Sequence, residues 1–117
     1  GTGYFNGNVV AYSTDIASDG RFKDNVKPLE GCLDKVCQMR GVSYTWNEKS
    51  QKEGVEDIGV IAQEMAKIYP EIVTEVDGLN GRDSHLTVDY GRLTCVLINA
   101  VKELKKEIEE LKSVAYE

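Results

Sequence analysis

Ser18 and Lys23 are the pair of residues in this chain whose types and spacing most directly suggest chemistry. A serine hydroxyl becomes an effective nucleophile only when a base removes its proton. A lysine can act as that base where burial or another cation favours its neutral form, and Arg21 is close enough in sequence to supply such a charge. From the pattern alone, a turn or helix cap at Ser18 and Asp19 is the simpler interpretation, because a serine and a lysine at this spacing are common by chance.

The other residue types that can carry chemistry favour structural roles. His85 is the sole histidine, it precedes a predicted strand, and no partner for it is visible in the sequence. Cys32, Cys37 and Cys95 form an odd set without a framework spacing, which predicts reduced, buried thiols. We expect no metal site, since structural zinc needs four ligands and no second ligand pair follows Cys32 and Cys37. We also expect no cofactor.

Composition narrows the class of partner. The chain has 117 residues and a net charge of −6, which suits one acidic domain. An acidic balance argues against binding to nucleic acid or to an anionic membrane surface. No apolar run approaches the roughly 18 residues that a membrane-spanning helix needs. No signal peptide opens the chain, and its Gly-Thr-Gly start is typical of a fragment.

The elements that position these residues follow from local patterns. Residues 1–17 are rich in small polar residues with one strand-like apolar run at 9–12, and they are expected to be the end of something larger upstream. Residues 18–25 are a predicted loop. Pro28 is a favourable first helical residue, and apolar residues recur at helical spacing as far as Cys37, so we expect a helix between Pro28 and Gly41. Residues 42–46 alternate and predict a strand, with Tyr44 and Trp46 in the core.

The second half predicts further short elements before one long helix. We expect a strand at 58–61, a helix at 62–69 ended by Pro70, and hairpin strands at 72–76 and 86–88. Glu64 is expected in the first turn of its helix, as a structural anion or as a contact of the loop at 18–25. Asp89 is a candidate cap for a final helix over about 90–113, with Tyr90 and Cys95 buried.

The final helix carries a seam of apolar residues spaced four, three, four and three. This pattern is typical of the a and d positions of a coiled coil, and charges of both signs fill the other positions. A helix of about 36 Å would extend beyond so small a core, which favours self-association over simple packing on its own domain. Composition alone does not separate a dimer from a trimer. The seam residues are Leu97, Val101, Leu104, Ile108 and Leu111.

Several strings in order resemble one known family. The string SDGRFKDNV at residues 18–26 is similar to the S-D-x-R-x-K-x-N-hydrophobic signature of the peptidase S74 family, the intramolecular chaperone domains of phage tail fibres and endosialidase tailspikes. The approach GNVVAYS at 7–13 also resembles that family, although residues 14–17 intervene where many members run directly into S-D. Further strings that match lie at 58–64, 69–73, 88–93 and 100–104.

The resemblance implies a function and a site. Residues 1–17 would end an upstream fibre or spike segment, and 18–117 would be an α+β intramolecular chaperone domain whose long C-terminal helix forms a trimeric coiled coil. Ser18 would attack the Ala17 carbonyl with Lys23 as base, supported by Asp19 and Arg21, and the cut would separate Ala17 from Ser18. The base could also come from a neighbouring protomer.

The implied partners are two further copies of the chain and the upstream segment. Assembly would take place in the host cytoplasm, and the chaperone would leave the virion after cleavage. The alternative is a trimerisation and host-binding tip that never cleaves and has no need of Ser18 with Lys23.

Overall fold

A computed structural model of the chain describes residues 15–115. The predicted strand at 9–12 lies outside the described residues. The predicted α+β class is confirmed: short helices and hairpins precede one long C-terminal helix. In chain order the elements are a 3-10 turn at Gly20–Phe22, α1 (Cys32–Val36), β1 (Val42–Thr45), β2 (Glu56–Gly59), α2 (Ala62–Ala66), a 3-10 turn at Pro70–Ile72, β3 (Val73–Val76), β4 (His85–Val88) and α3 (Tyr90–Ala115).

The four strands form two separate antiparallel hairpins. In the first hairpin β1 pairs with β2, with Val42 opposite Gly59. In the second, β3 pairs with β4, with Val73 opposite Val88. A two-stranded hairpin is marginally stable alone, so each must be held by the helices around it. The expected hairpin at 72–76 and 86–88 is therefore confirmed, within one residue at each end.

A small core joins these pieces. It lies between α1, α2, the Pro70–Ile72 turn and the first half of α3, where α1 and α3 make the most extensive contact. The buried side chains are Cys32, Met65, Tyr69, Ile72, Leu93, Val96 and Ala100.

Helix α3 begins at its expected cap and extends beyond the core. Asp89 Oδ1 accepts a hydrogen bond from the Arg92 N–H at 3.0 Å, which satisfies one free donor of the first turn. The helix has 26 residues and is therefore about 39 Å long. Every described residue after Glu103 is exposed. The five seam residues are exposed too, on a face that the core does not cover.

Several local predictions were wrong. Pro28 lies in an exposed non-helical segment and α1 begins only at Cys32, because the chain first takes a left-handed conformation at Gly31 (φ 69°). Of the three thiols expected to be buried, Cys32 is buried, whereas Cys37 and Cys95 are exposed. Cys95 is exposed because the buried face of α3 runs through Leu93 and Val96 instead.

Tyr90 is likewise half exposed rather than buried. Tyr44 and Trp46 are partly buried and pack edge-to-face on each other, 5.2 Å between ring centroids, outside the main core. Strand β2 spans Glu56–Gly59 rather than 58–61, because Glu56 pairs opposite Thr45. Helix α2 ends at Ala66, earlier than the predicted end at 69.

Candidate active site

A capped 3-10 turn shapes the segment that holds Ser18 and Lys23. Asp19 Oδ1 accepts a hydrogen bond from the Arg21 N–H at 2.9 Å, and the Asp19 carbonyl accepts one from the Phe22 N–H at 3.0 Å. The Gly20 carbonyl then accepts from the Lys23 N–H at 3.1 Å. A short polar residue at the cap and a small one after it suit this turn. The turn folds the segment back on itself between Ser18 and Lys23.

The side chains of Ser18 and Lys23 meet across this turn. Lys23 Nζ donates a hydrogen bond to Ser18 Oγ at 2.7 Å. A candidate base must lie within about 2.6 to 3.2 Å of the proton donor it serves, and this distance meets that condition. A neutral lysine at this position can accept the hydroxyl proton. The carbonyl that Ser18 Oγ would attack belongs to the preceding residue, Ala17.

Asp19 and Arg21 form an ion pair beside the dyad. Arg21 Nη2 lies 2.8 Å from Asp19 Oδ2, and Arg21 Nε lies 3.2 Å from Oδ1. The hydrogen bonds from the Arg21 side chain and backbone lower the pKa of Asp19, and the same side-chain bond raises the pKa of Arg21. Asp19 therefore stays ionised and keeps the turn capped, while the Arg21 guanidinium is directed toward Asp19.

The whole segment around the dyad is open to water. Every residue from 15 to 31 is exposed, although this stretch carries the large apolar side chains of Ile16, Phe22, Val26 and Leu29. Water solvates an ammonium group and favours its charged form, whereas a base must be neutral. The contact between Ser18 and Lys23 is thus formed within one chain. No described part of the same chain shields the two side chains from water, although such shielding would favour the neutral form of the lysine.

Two α3 residues that sequence reasoning missed anchor the end of this segment. The Glu103 carboxylate accepts hydrogen bonds from the N–H groups of Cys32 at 3.0 Å and Leu33 at 3.1 Å. Asn99 Nδ2 donates to the Leu29 carbonyl at 3.2 Å. Gly31 offers no side chain to cap α1, so Glu103 does so from 71 residues away. The only signal in the sequence was an uncapped helix start, which names no partner.

Glu64 has a structural partner. Its carboxylate forms a two-point contact with Arg40, with Nη2 to Oε2 at 2.7 Å and Nε to Oε1 at 3.2 Å. This contact lowers the pKa of Glu64 and raises that of Arg40. Of the two roles expected for Glu64, the structure shows the one that ties α2 to the chain before β1.

Some candidate residues are not brought together. His85 is exposed at the start of β4.

Among residues 15–115, no three His, Cys, Asp or Glu side chains are placed to hold a metal ion. In the same part of the chain, none of the helices has the length and apolar character to cross a bilayer.

Known proteins resemble the chain over nearly all of its length. Residues 18–74 match the family model of peptidase S74, described as chaperone of endosialidase. Long tail fiber protein Gp37 of Enterobacteria phage M1 is 38% identical over 116 residues, which are 97% of this chain and 45% of that protein. The Gp37 proteins of Enterobacteria phage K3 and Salmonella phage S16 are 37% and 26% identical, over 91% and 92% of this chain.

The chain spans about half the length of the M1 relative and only 8% and 16% of the K3 and S16 relatives. The matched family is the one that the motifs identified, and its match begins at Ser18. The chain is therefore similar to the peptidase S74, chaperone-of-endosialidase family over residues 18–74.

Proposed function

We propose that this chain is the C-terminal part of a phage tail-fibre protein, that it trimerises the fibre, and that it then cuts itself off between Ala17 and Ser18. The similarity to the peptidase S74 family supports a chaperone role, and relatives named long tail fiber proteins support the parent molecule. The observation that carries the cleavage proposal is the contact of 2.7 Å between Lys23 Nζ and Ser18 Oγ.

The proposed reaction needs no group beyond the chain and one water molecule. Ser18 Oγ attacks the Ala17 carbonyl carbon, and neutral Lys23 takes the hydroxyl proton. The bond from the Ala17 carbon to the Ser18 nitrogen breaks, Lys23 returns the proton to that nitrogen, and an ester joins Ala17 to Ser18 Oγ. Water then attacks the ester, which leaves a carboxylate on Ala17 and restores the Ser18 hydroxyl beside a free α-amine.

The supporting residues act on the loop in this scheme. Asp19 holds the turn that sets the spacing of the dyad, and Arg21 holds Asp19 in its ionised form. Removal of the ion pair would let Ser18 and Lys23 separate.

Trimerisation through α3 would come before the cut. Three fibre strands must start in register, and a C-terminal coiled coil raises their local concentration. The exposed seam of α3 offers that coil. Cleavage then removes the element that guided assembly, so the mature fibre cannot refold by the same route and is kept folded by a kinetic barrier. We place residues 1–17 with the fibre and 18–117 with the chaperone, and both in the host cytoplasm during assembly.

The test is the intact mass of freshly expressed protein that carries its upstream segment. The wild-type chain should split and give a new N-terminus at Ser18, and Ser18→Ala should stay whole, folded and trimeric. Ser113→Ala, which removes an exposed hydroxyl far along the sequence, should cleave like wild type. A cut at another bond would sink the site assignment. Trimers that never cleave would establish the alternative, a trimerisation and host-binding tip.

A further inference from the structure

We propose that Phe22 of each protomer docks into an apolar hollow on a neighbouring protomer, and that this contact covers the dyad. The hollow lies between the first hairpin and the foot of α3, and it is lined by Gly41, Val42, Ile58, Gly59, Val60 and Tyr90. The inference rests on the proposed trimer and deepens it, because it names the surface that completes the site.

The occupant is an apolar segment without a core of its own. Phe22 is 82% exposed and Val26 is 77% exposed, one on each side of Lys23 in sequence. A buried phenylalanine removes about 150 to 250 Å² of surface from water, so leaving this one exposed is costly. Because the capped turn holds Phe22 next to Lys23, a surface that receives Phe22 also excludes water from the lysine.

The hollow has the size and chemistry to receive an aromatic ring. Its volume is about 500 Å³ and its lining side chains are aliphatic or aromatic. The Val60 N–H donates to the Tyr90 hydroxyl at 3.2 Å, which fixes the tyrosine wall against β2. A Cβ on Gly59 would lie 2.7 Å from that hydroxyl, so a glycine is needed where strand and helix approach. The close approach of Gly59 and Tyr90 therefore fixes one wall of the hollow, and the hollow is open to solvent.

The position of Tyr90 places the hollow on the trimer face. Tyr90 and Thr94 continue the seam backward from Leu97, because the spacings from Tyr90 to Leu111 run four, three, four, three, four, three. A residue in line with an a/d seam faces the neighbouring helices of the coil. The wall of the hollow is thus continuous with the proposed interface.

The anchor of the segment puts this hollow within reach. Leu29 is held at the level of Asn99, which lies nine residues, or about 14 Å, along α3 from Tyr90. The seven residues from Leu29 back to Phe22 can span about 24 Å when extended. Neighbouring helices in a coil are about 8 to 10 Å apart. In the single chain Phe22 is exposed and does not enter the hollow of its own protomer. We therefore infer that it enters the hollow of the next protomer.

Mixed trimers test both the contact and its direction. Phe22→Ala removes the occupant and Ile58→Lys fills the hollow with a charge, and each alone should slow cleavage by about tenfold or more. An Ile58→Lys chain keeps its own Phe22, and a Phe22→Ala chain keeps its hollow. In mixed trimers an Ile58→Lys chain should therefore cleave again when its Phe22 docks onto a Phe22→Ala neighbour. Because each Phe22 docks in one direction only, about half of the Ile58→Lys chains in an equal mixture should be rescued. The Phe22→Ala chains should stay slow.

Matched controls separate docking from a general loss of apolar surface. Leu79→Ala removes an exposed apolar side chain elsewhere, and Ser43→Lys adds the same charge opposite Ile58 without lining the hollow. Both should cleave at the wild-type rate. Mixed trimers without rescue of the Ile58→Lys chains, or controls as slow as the test variants, would overturn the proposal.

A second measurement works without cleavage. In Ser18→Ala chains whose exposed Cys37 and Cys95 are changed to serine, Asp24→Cys on one chain should cross-link to Ser43→Cys on another through a short bismaleimide, and both substitutions leave Phe22 and the lining of the hollow unchanged. If cross-linked dimers form but the wild-type chain never cleaves, the docking proposal stands and the cleavage proposal fails. Cross-linking only within one chain, or none in a confirmed trimer, would refute docking between protomers.

Discussion

At the scale of residues, the candidate site owes its geometry to very local interactions. The cap from Asp19, the bond from Gly20 to Lys23 and the ion pair of Asp19 with Arg21 all join residues at most three apart. These few contacts are enough to bring Lys23 Nζ to 2.7 Å from Ser18 Oγ. The turn that competed with catalysis as an interpretation of Ser18 and Asp19 is therefore present, and it also brings together the two side chains of the proposed dyad. The structural interpretation and the proposed chemistry are thus compatible.

Substitution of Lys23 tests the base. Lys23→Ala should reduce cleavage by about a hundredfold or more, and Lys23→Arg should not restore it, because arginine stays protonated. Lys27→Ala, which removes another exposed lysine of the same segment, should leave cleavage unchanged. In the wild type the rate of appearance of the new N-terminus should rise with pH, because the proposed mechanism needs a neutral base. A rate that is flat from acid to alkaline pH would argue against a lysine base.

Tyr69 gives the core a predictable response to alkali. Burial, aided by the hydrogen bond from its hydroxyl to Cys32 Sγ at 3.6 Å, raises the pKa of Tyr69 from 10.0 to about 12. The folded chain thus holds this proton more tightly than the unfolded chain does. The resulting stability is complete below about pH 10 and is lost as the pH rises through about 12. Tyr69→Phe should flatten the fall of Tm with pH over that interval, whereas Tyr90→Phe should keep it. Equal slopes in wild type and Tyr69→Phe would contradict the assignment.

At the scale of elements, the sequence predicted what local pattern decides and missed what distant contacts decide. The second hairpin and α3 with its cap are where alternation, turn residues and Asp89 placed them. The start of α1 is not, because Pro28 is favourable for any helix but the first N–H groups of α1 find their acceptor in Glu103, 71 residues away. The contact between Ser18 and Lys23 could be expected from the motif and its short spacing. The anchor of this segment on α3 could not.

Glu103 should contribute more to the free energy of unfolding than the exposed charged residues around it on α3. Glu103→Ala leaves the N–H groups of Cys32 and Leu33 without their acceptor, and bonds to a charged group contribute about 1.5 to 3 kcal/mol. We expect a loss of about 1 to 3 kcal/mol in the free energy of unfolding from urea titration, with a smaller loss for Glu103→Gln, which keeps one acceptor oxygen. Glu107→Ala, one turn further along on an exposed position, is the control. A loss as large in the control would mean that helix propensity alone is being measured.

At the scale of the whole molecule, the protomer is more extended than a compact domain of its length. Its radius of gyration is 19.1 Å, against about 13 Å for a compact domain of this length. The excess comes from an α3 that extends beyond its core and from an exposed segment at 15–31, and both carry large apolar side chains. Large exposed apolar patches are rare on monomeric proteins and often mark interaction sites, so assembly offers a natural cover for these side chains. In that view the coil and the cleavage segment are buried by the same event.

Leu104→Asp tests whether assembly controls the chemistry. In a trimer the substitution would place three carboxylates near one axis, and each such burial costs several kcal/mol before protonation relieves it. The variant should be monomeric by sedimentation and should fail to cleave, although Ser18 and Lys23 are unchanged. Lys106→Asp is the matched control, since it adds the same residue to α3 two positions away and off the seam, and it should trimerise and cleave. Wild-type cleavage should also slow on dilution once trimers dissociate. A monomeric Leu104→Asp chain that cuts itself at the wild-type rate would show that one chain supplies everything the dyad needs, because neither the coil nor a neighbouring hollow would then contribute to the reaction.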